Sequence, residues 1–347
     1  MTARFGIIGF GAWGRCYANA MKNIPEVSLV AIATGNDRDL ETVRKENPGV
    51  TVMPDHRELL DKCELDAIIL VTPNHLHHSI GLEVLQADKH LLVEKPFALN
   101  GAECDELIRV ATAKNLHLAV GHQFRLSSLW GEIKNLIDAG FVGVPKYVLI
   151  ELSRNPYRQG EDGWRYDAPR VGNWILEEPV HFLDLACWYL ESCGKPVSIY
   201  ASANTSRDVA PELYDNLSAI LNFQNGSHAV VAQTLSAFEH HQTVKITGTK
   251  GSLWGGWSGI MDRTLHPTFF LKTFDGETVR DVPIEKMTGE LYELEDQIRL
   301  MAHILQGRAN VHCTGEEGRH AVMLSLAAQK SAMEGTPITL TDRGDFS

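Results

Sequence analysis

Short, uninterrupted apolar runs alternate with amphipathic stretches over the first third of the chain. The runs are Phe5–Ile8, Val27–Ala33, Val50–Met53, Ala67–Val71, His90–Val93 and Leu118–Val120. Between them Ala12–Asn23, Leu40–Glu46, Arg57–Asp61, His78–Gln86 and Ala102–Lys114 read as helices. Strands that are apolar throughout are buried on both faces. With helices between them they predict a parallel, doubly wound sheet.

The pattern changes after about residue 123. Ser128–Ala139 reads as a helix and Lys146–Leu152 as a strand; a loop rich in Gly, Arg and Trp follows from Arg154 to Trp174, then a helix at Val180–Leu190. Strands dominate next: Val197–Ala203, Asn216–Phe223, His228–Leu235, Gln242–Thr247, Thr268–Thr273 and Thr278–Val282. Asn225-Gly226 and Asp275-Gly276 stand between pairs of them and signal hairpins, hence antiparallel pairing. Two helices close the chain, Leu291–Gln306 and Glu316–Glu334. The expected architecture is an α/β Rossmann domain over residues 1–123, followed by an α+β domain over 124–347 with an open, mainly antiparallel sheet. The closing helices are able to pack back on the first domain. One face of such a sheet needs a cover. No helix is left to supply it, so a homo-oligomer, dimer or tetramer, is expected.

Composition narrows the function. Hydrophobic residues are 44% and charged residues 22% of the 347, enough for two cores. The 44 acids outweigh the 32 bases, for a formal net charge of −12. A nucleic-acid binder needs a basic face and an anionic membrane repels such a chain, so neither is an expected partner. Cys16, Cys63, Cys104, Cys187, Cys193 and Cys313 form neither a C-x-x-C pair nor a zinc spacing, which predicts reduced thiols and no metal. The chain enters a strand at Arg4, without a signal-peptide pattern. No apolar run approaches the length of a membrane span. The expected location is cytoplasmic.

The first strand runs into Gly9-Phe10-Gly11-Ala12-Trp13-Gly14, which opens the first helix. A G-x-G-x-x-G sequence alone is weak evidence, but between a strand and a helix it is a dinucleotide fingerprint. The second strand ends Ala33-Thr34-Gly35-Asn36-Asp37-Arg38. No carboxylate sits at its tip to hold a ribose 2′-hydroxyl; Thr34 and Arg38 tolerate a 2′-phosphate and Asp37 suits a ribose. NAD or NADP is the expected cofactor, with NAD favoured. Ligands of open α/β sheets bind beyond the carboxyl ends of the strands. Thr72-Pro73-Asn74, with His77 close behind, and Glu94-Lys95-Pro96 stand at two such ends and belong at the nicotinamide end of the cleft.

Oxidising an alcohol requires a hydride acceptor, a base for the proton and a cation for the developing alkoxide. Lys95 is the candidate cation. At ~4 Å and an effective dielectric of ~20 an ammonium is worth about 4 kcal/mol, roughly a thousandfold in rate if felt only in the transition state. His181 is the candidate base, although it is one of 15 histidines. Glu177, four residues earlier, is a candidate to orient it or equally an N-terminal charge favoured by the helix dipole, and Glu178 competes for the orienting role. Trp164 and Trp174 offer rings for a sugar face or for core packing. Arg154, Arg158, Arg165 and Arg170 share the same loop, where they meet nearby acids or an anionic substituent of a ligand.

Gly9-x-Gly11-x-x-Gly14, Thr72-Pro73-Asn74, Glu94-Lys95-Pro96 and the histidine-bearing helix, in this order, resemble the Gfo/Idh/MocA oxidoreductases over essentially the whole chain. That resemblance implies an NAD(P)-dependent enzyme transferring a hydride to or from a sugar, glycoside or cyclitol. Its catalytic group falls on Lys95, Glu177 and His181, and Trp164-Arg165 resembles a tryptophan–arginine pair whose arginine reaches the cofactor. Where the family reads Asp-x-Gly-x-His, this chain reads Glu177-Glu178-Pro179-Val180-His181, the mark of a divergent subgroup. Two alternatives accompany the dehydrogenase: a glycoside hydrolase that keeps its cofactor and works by transient oxidation and elimination, and a ligand sensor without turnover.

Overall fold

The computed structural model describes residues 2–35, 40–261 and 263–347. The chain divides into two compact units, one formed by the chain up to His122 with Leu294–Arg319, the other by Gln123–Glu293 with His320–Ser347.

In the first unit β1 (Ala3–Ile8), α1 (Ala12–Met21), β2 (Val27–Ala33), α2 (Leu40–Glu46), β3 (Thr51–Met53), α3 (His56–Lys62), β4 (Ala67–Leu70), α4 (His77–Gln86), β5 (His90–Val93), α5 (Gly101–Ala113) and β6 (Leu118–Val120) follow one another. The strands form one six-stranded sheet in the order β3-β2-β1-β4-β5-β6, and every pairing is parallel. This is the doubly wound order with its switch point beside β1. Phe5, Ile7, Ile32, Ile69 and Leu92 from the strands pack with Tyr17 and Met21 of α1. Leu294, Ile298 and Met301, from the later segment of the unit, share that core. Arg319 is tied to α5 by a two-point ion pair with Asp105, at 2.9 and 3.2 Å.

The second unit carries α6 (Trp130–Asp138), β7 (Pro145–Arg154), α7 (Ala168–Val171), α8 (Pro179–Tyr189), β8 (Pro196–Asn204), β9 (Asn216–Phe223), β10 (His228–Thr234), β11 (His240–Gly248), β12 (Ser252–Gly259), β13 (Thr268–Phe274) and β14 (Val279–Asp281). Helices α9 (Glu290–Leu305) and α10 (Gly315–Glu334) and the short β15 (Ile338–Thr339) complete the chain. The nine-stranded sheet runs β14-β13-β12-β11-β7-β10-β9-β8-β15. It is antiparallel except where β7 and β10 pair in parallel. Local hairpin signals cannot report that pairing, because its two strands are far apart in sequence. The hairpin at Asn225-Gly226 forms as expected, with Gly226 at φ +83°.

Strand β12 is missing from the sequence expectation. Its Leu253-Trp-Gly-Gly-Trp257 core has too little alternation to read as a strand, since two glycines and a second tryptophan blur it. The glycines have a use in the sheet: a Cβ on Gly256 would come within 2.5 Å of the Phe270 ring on β13. One face of the sheet is a full core, with Val148, Ile150, Val231, Val244 and Ile246 packed against Trp130 and Ile133 of α6, Phe182 and Leu183 of α8, and Leu324 and Ala327 of α10. Along β9 every second residue is buried and the ones between are open to solvent or partly so. The outward face presents Tyr200, Ile220, Trp254, Phe270 and Phe274 as exposed apolar side chains.

A polar knot stands among the buried residues of this unit. Glu293 accepts hydrogen bonds from the Thr288 hydroxyl at 2.8 Å and the Gly289 amide at 3.0 Å; the Thr288 hydroxyl also lies 2.7 Å from that of Ser127. Burial pushes the Glu293 carboxyl up to about 7, against the pull of those hydrogen bonds. A folded-state value above the ordinary one favours the folded protein fully below about 4.5, and that advantage is lost as pH rises through about 7. Glu293→Gln is neutral at every pH. The stability of wild type relative to this variant, from urea unfolding, should therefore fall by about 3 kcal/mol between those pH values and be flat outside them. A flat difference across the whole range would assign Glu293 an ordinary carboxyl.

Candidate active site

The glycine loop after β1 has the shape a dinucleotide needs. Gly9 sits at φ +95°, and a Cβ there would fall 2.5 Å from the Val71 carbonyl oxygen. A Cβ on Gly14 would reach within 2.3 Å of the Gly9 carbonyl, so only glycine lets α1 approach the strand. At Gly11 the opposite holds: no atom lies within 4 Å of where a Cβ would stand. That open, exposed backbone precedes the first amides of α1, which point at anions and carry the positive end of the helix dipole. The residues present fit a pyrophosphate. Phe10 is buried under the Arg15 guanidinium, 5.2 Å from its ring centre, and Ala12 is exposed on the first turn. Thr34 is buried just beyond β2, its amide bonded to the Met53 carbonyl at 3.1 Å. Arg38 lies outside the described residues.

Lys95 follows β5 and is partly buried. Its neighbour Glu94 is buried, and one carboxylate oxygen accepts from the Trp13 indole at 2.9 Å and the Tyr17 hydroxyl at 2.6 Å. The other accepts from the backbone amide of Lys95 at 3.2 Å. Burial pushes the Glu94 carboxyl up, opposed by the Lys95 charge and by the Tyr17 and Trp13 hydrogen bonds. The Lys95–Pro96 peptide is cis. His77, buried at the start of α4, holds the other side of the loop: its Nδ1 lies 2.7 Å from the Pro96 carbonyl oxygen and its Nε2 2.9 Å from that of Thr72. Two carbonyls cannot both accept from a neutral imidazole, so only the imidazolium satisfies both. Thr72, Pro73 and the buried Asn74 are thereby fastened to the Lys95 loop.

In the second unit α8 starts at Pro179, whose missing amide costs nothing in a first turn. His181 is only 2% exposed, with its ring 4.7 Å from that of Phe124 and its amide bonded to the Glu178 carbonyl at 2.9 Å. Glu177 and Glu178 are both buried, and each meets its own arginine. Arg165 Nε donates to Glu177 at 2.9 Å, and Arg154 Nη1 donates to Glu178. Burial pulls the Arg165 guanidinium down, and the charges of Glu177 and Glu178 more than restore it. Two adjacent carboxylates stay buried only with such partners. Arg165 lies over the Trp164 ring at 4.6 Å and Arg154 over the Tyr157 ring at 5.1 Å. Asp184, one turn after His181, forms a buried two-point pair with Arg125, at 2.8 and 2.7 Å.

Trp174 is not a platform for a sugar ring. It is 1% exposed, meets Tyr157 and Tyr166 edge to face, and spends its indole N–H on the Arg165 carbonyl. With Tyr157, Trp164, Val171, Leu213 and Leu235 it forms a small core that holds the Arg154–Trp174 loop. Trp164, buried in the same core, keeps one ring face for Arg165. Sequence reasoning missed Tyr17, whose signal was its spacing: it stands four residues after Trp13 on α1, so both reach one carboxylate. Among the described residues the six cysteines are free thiols.

The family model described as "Oxidoreductase family, NAD-binding Rossmann fold" matches residues 3–122, and the one for the "GFO/IDH/MocA C-terminal domain" matches residues 130–254. A myo-inositol 2-dehydrogenase of Thermotoga maritima is 24% identical over 344 residues, which are 98% of this chain and 99% of that protein. A 1,5-anhydro-D-fructose reductase of Ensifer adhaerens is 28% identical over 285 residues, 80% of each. The crystal structure of an aldose-aldose oxidoreductase from Caulobacter crescentus complexed with glycerol shares the fold, with a TM-score of 0.84 at 20% identity over 98% of this chain and 100% of that one. The chain belongs to the Gfo/Idh/MocA family of NAD-binding oxidoreductases.

Proposed function

We propose that this oxidoreductase transfers a hydride between a nicotinamide cofactor and a secondary alcohol of a sugar, glycoside or cyclitol. The observation that carries the reading is the Glu94 carboxylate. It takes hydrogen bonds from Trp13 of the glycine loop and from the backbone of Lys95 together. The backbone that carries the Lys95 cation is therefore fastened to the segment that suits a dinucleotide. The relatives named for inositol and anhydrofructose support a cyclic polyhydroxy substrate.

Gly9, Gly11 and Gly14 with the first turn of α1 would hold the pyrophosphate, and Thr34 lies on the adenosine side. When bound, the nicotinamide supplies or accepts the hydride. Lys95 stabilises the oxygen as it becomes an alkoxide, an effect of about 4 kcal/mol at ~4 Å and an effective dielectric of ~20. His181 takes the hydroxyl proton in oxidation and returns it in reduction. Glu177 acts from its ion pair with Arg165 as a positioning residue for this segment.

Lys95→Met should keep the fold and cofactor affinity and lower kcat by at least about a hundredfold. Near-normal turnover would remove Lys95 from the mechanism. His181→Ala should abolish the acid limb of the pH–rate profile, because a protonated imidazole accepts no proton. A variant that keeps both rate and profile shows that another group is the base. Glu177→Gln retains an oxygen for Arg165 Nε and should cost less than either change.

The outward face of the second sheet is proposed as the interface of a homo-oligomer. Tyr200 and Ile220 stand opposite one another on β8 and β9, and Trp254 meets Phe270 edge to face at 4.9 Å. Exposed aromatic and aliphatic side chains on one face mark an association surface. Light scattering at micromolar protein should give a dimer or tetramer, and a monomer would refute the interface.

A further inference from the structure

Arginines near a ligand site usually announce an anion, because the guanidinium fork matches a carboxylate or phosphate. The loop from Arg154 to Trp174 therefore invites the expectation of an acidic substrate. Its two best-held arginines are already spent. Arg154 and Glu178 form a pair in which each side chain is nine-tenths buried or more, at 10% and 8% exposure. Arg165 is held on Glu177 at 2.9 Å. Each of these two arginines thus has a carboxylate of the protein's own.

A substrate carboxylate that reached either of these two would have to share Arg154 with Glu178 or Arg165 with Glu177. Carboxylates forced to share one site in a low dielectric repel strongly enough that one of them must take up a proton. A hydroxyl brings no such penalty, and the same neighbourhood offers it a neutral donor. Gln233, at the end of β10, is 4% exposed. Its oxygen accepts from the Tyr157 hydroxyl at 3.1 Å, and Tyr157 lies beneath the Arg154 guanidinium. Its Nε2 is buried without an acceptor among the described residues. A buried donor left so costs about 1–3 kcal/mol, which a ligand oxygen would relieve.

We infer that the substrate is uncharged, a polyhydroxylated ring without carboxylate or phosphate, and that Glu178 sets this preference by neutralising Arg154. The inference rests on the dehydrogenase reading above and deepens it. The test compares substrates that differ at one position, a hydroxyl-bearing group against an anionic one: methyl glucopyranoside, galactopyranoside and mannopyranoside against their uronates, and myo-inositol against its monophosphate, each followed by NAD(P)H absorbance. Within a pair the neutral member should win by at least about a hundredfold in kcat/KM. Glu178→Gln keeps an oxygen for Arg154 but removes the charge, and should narrow that ratio by about tenfold or more, through the KM of the acid. A purely structural role for Glu178 would slow both members alike and leave the ratio unchanged, which overturns its assignment. Should that variant fail to fold, the wild-type ratio decides alone. An acid turned over as well as its neutral partner, or better, overturns the inference and leaves the dehydrogenase standing. No turnover in any pair overturns the dehydrogenase reading, and the inference falls with it.

Discussion

The buried carboxylate of Glu94 is the interaction on which the first unit's chemistry depends. A lone buried charge is prohibitive, so Glu94 exists only because Trp13, Tyr17 and the Lys95 amide all donate to it. Those donors come from two different crossovers of the sheet, helix α1 and the turn after β5. The carboxylate thus joins a helix and a loop that the Rossmann topology brings to the same edge. His77 repeats the device on the far side of Lys95, joining the loops after β4 and β5 through two backbone carbonyls.

The second unit solves the same physical problem with ion pairs. Glu177, Glu178 and Asp184 surround the start of α8 and are all buried, and Arg165, Arg154 and Arg125 answer them one to one. Buried pairs of this kind add little to stability over an apolar core, but removing one partner is expensive. They therefore fix geometry. The segment carrying His181 is held by these three ion pairs.

Much of this was legible in the sequence, and the rest has identifiable causes. Runs such as Ala67–Leu70 and His90–Val93 are apolar on both faces because helices cover both, so the parallel sheet could be read directly. Gly9 and Gly14 stand where backbone geometry admits only glycine, and Lys95 stands just past the carboxyl end of a strand. What stayed hidden depends on distant partners. The spacing of Trp13 and Tyr17 tells that they share a helix face but not that the shared partner is Glu94, and nothing near Arg154 tells that Glu178 claims it. Trp174 pointed the wrong way for a related reason: an aromatic residue in a polar loop suggests a ligand, whereas here the loop has a small core of its own. Strand β12 escaped because its glycines make room for a ring on the next strand, a use invisible to alternation.

The place of β7 in the second sheet has a consequence for how the chain is made. Strands β8, β9 and β10 form one meander and β11 to β14 another, and each can assemble from sequence neighbours. Only β7 joins them, antiparallel to β11 on one side and parallel to β10 on the other. It leaves the ribosome before either partner. Until both meanders follow, Tyr147, Val148, Leu149 and Ile150 form a strand with two bare edges, the kind of segment that recruits other chains. Closing the sheet requires contacts between residues distant in sequence, which is the slow class of folding step. The keystone of the finished sheet is thus the element most exposed to misassembly during synthesis, and the one a chaperone would have most reason to cover.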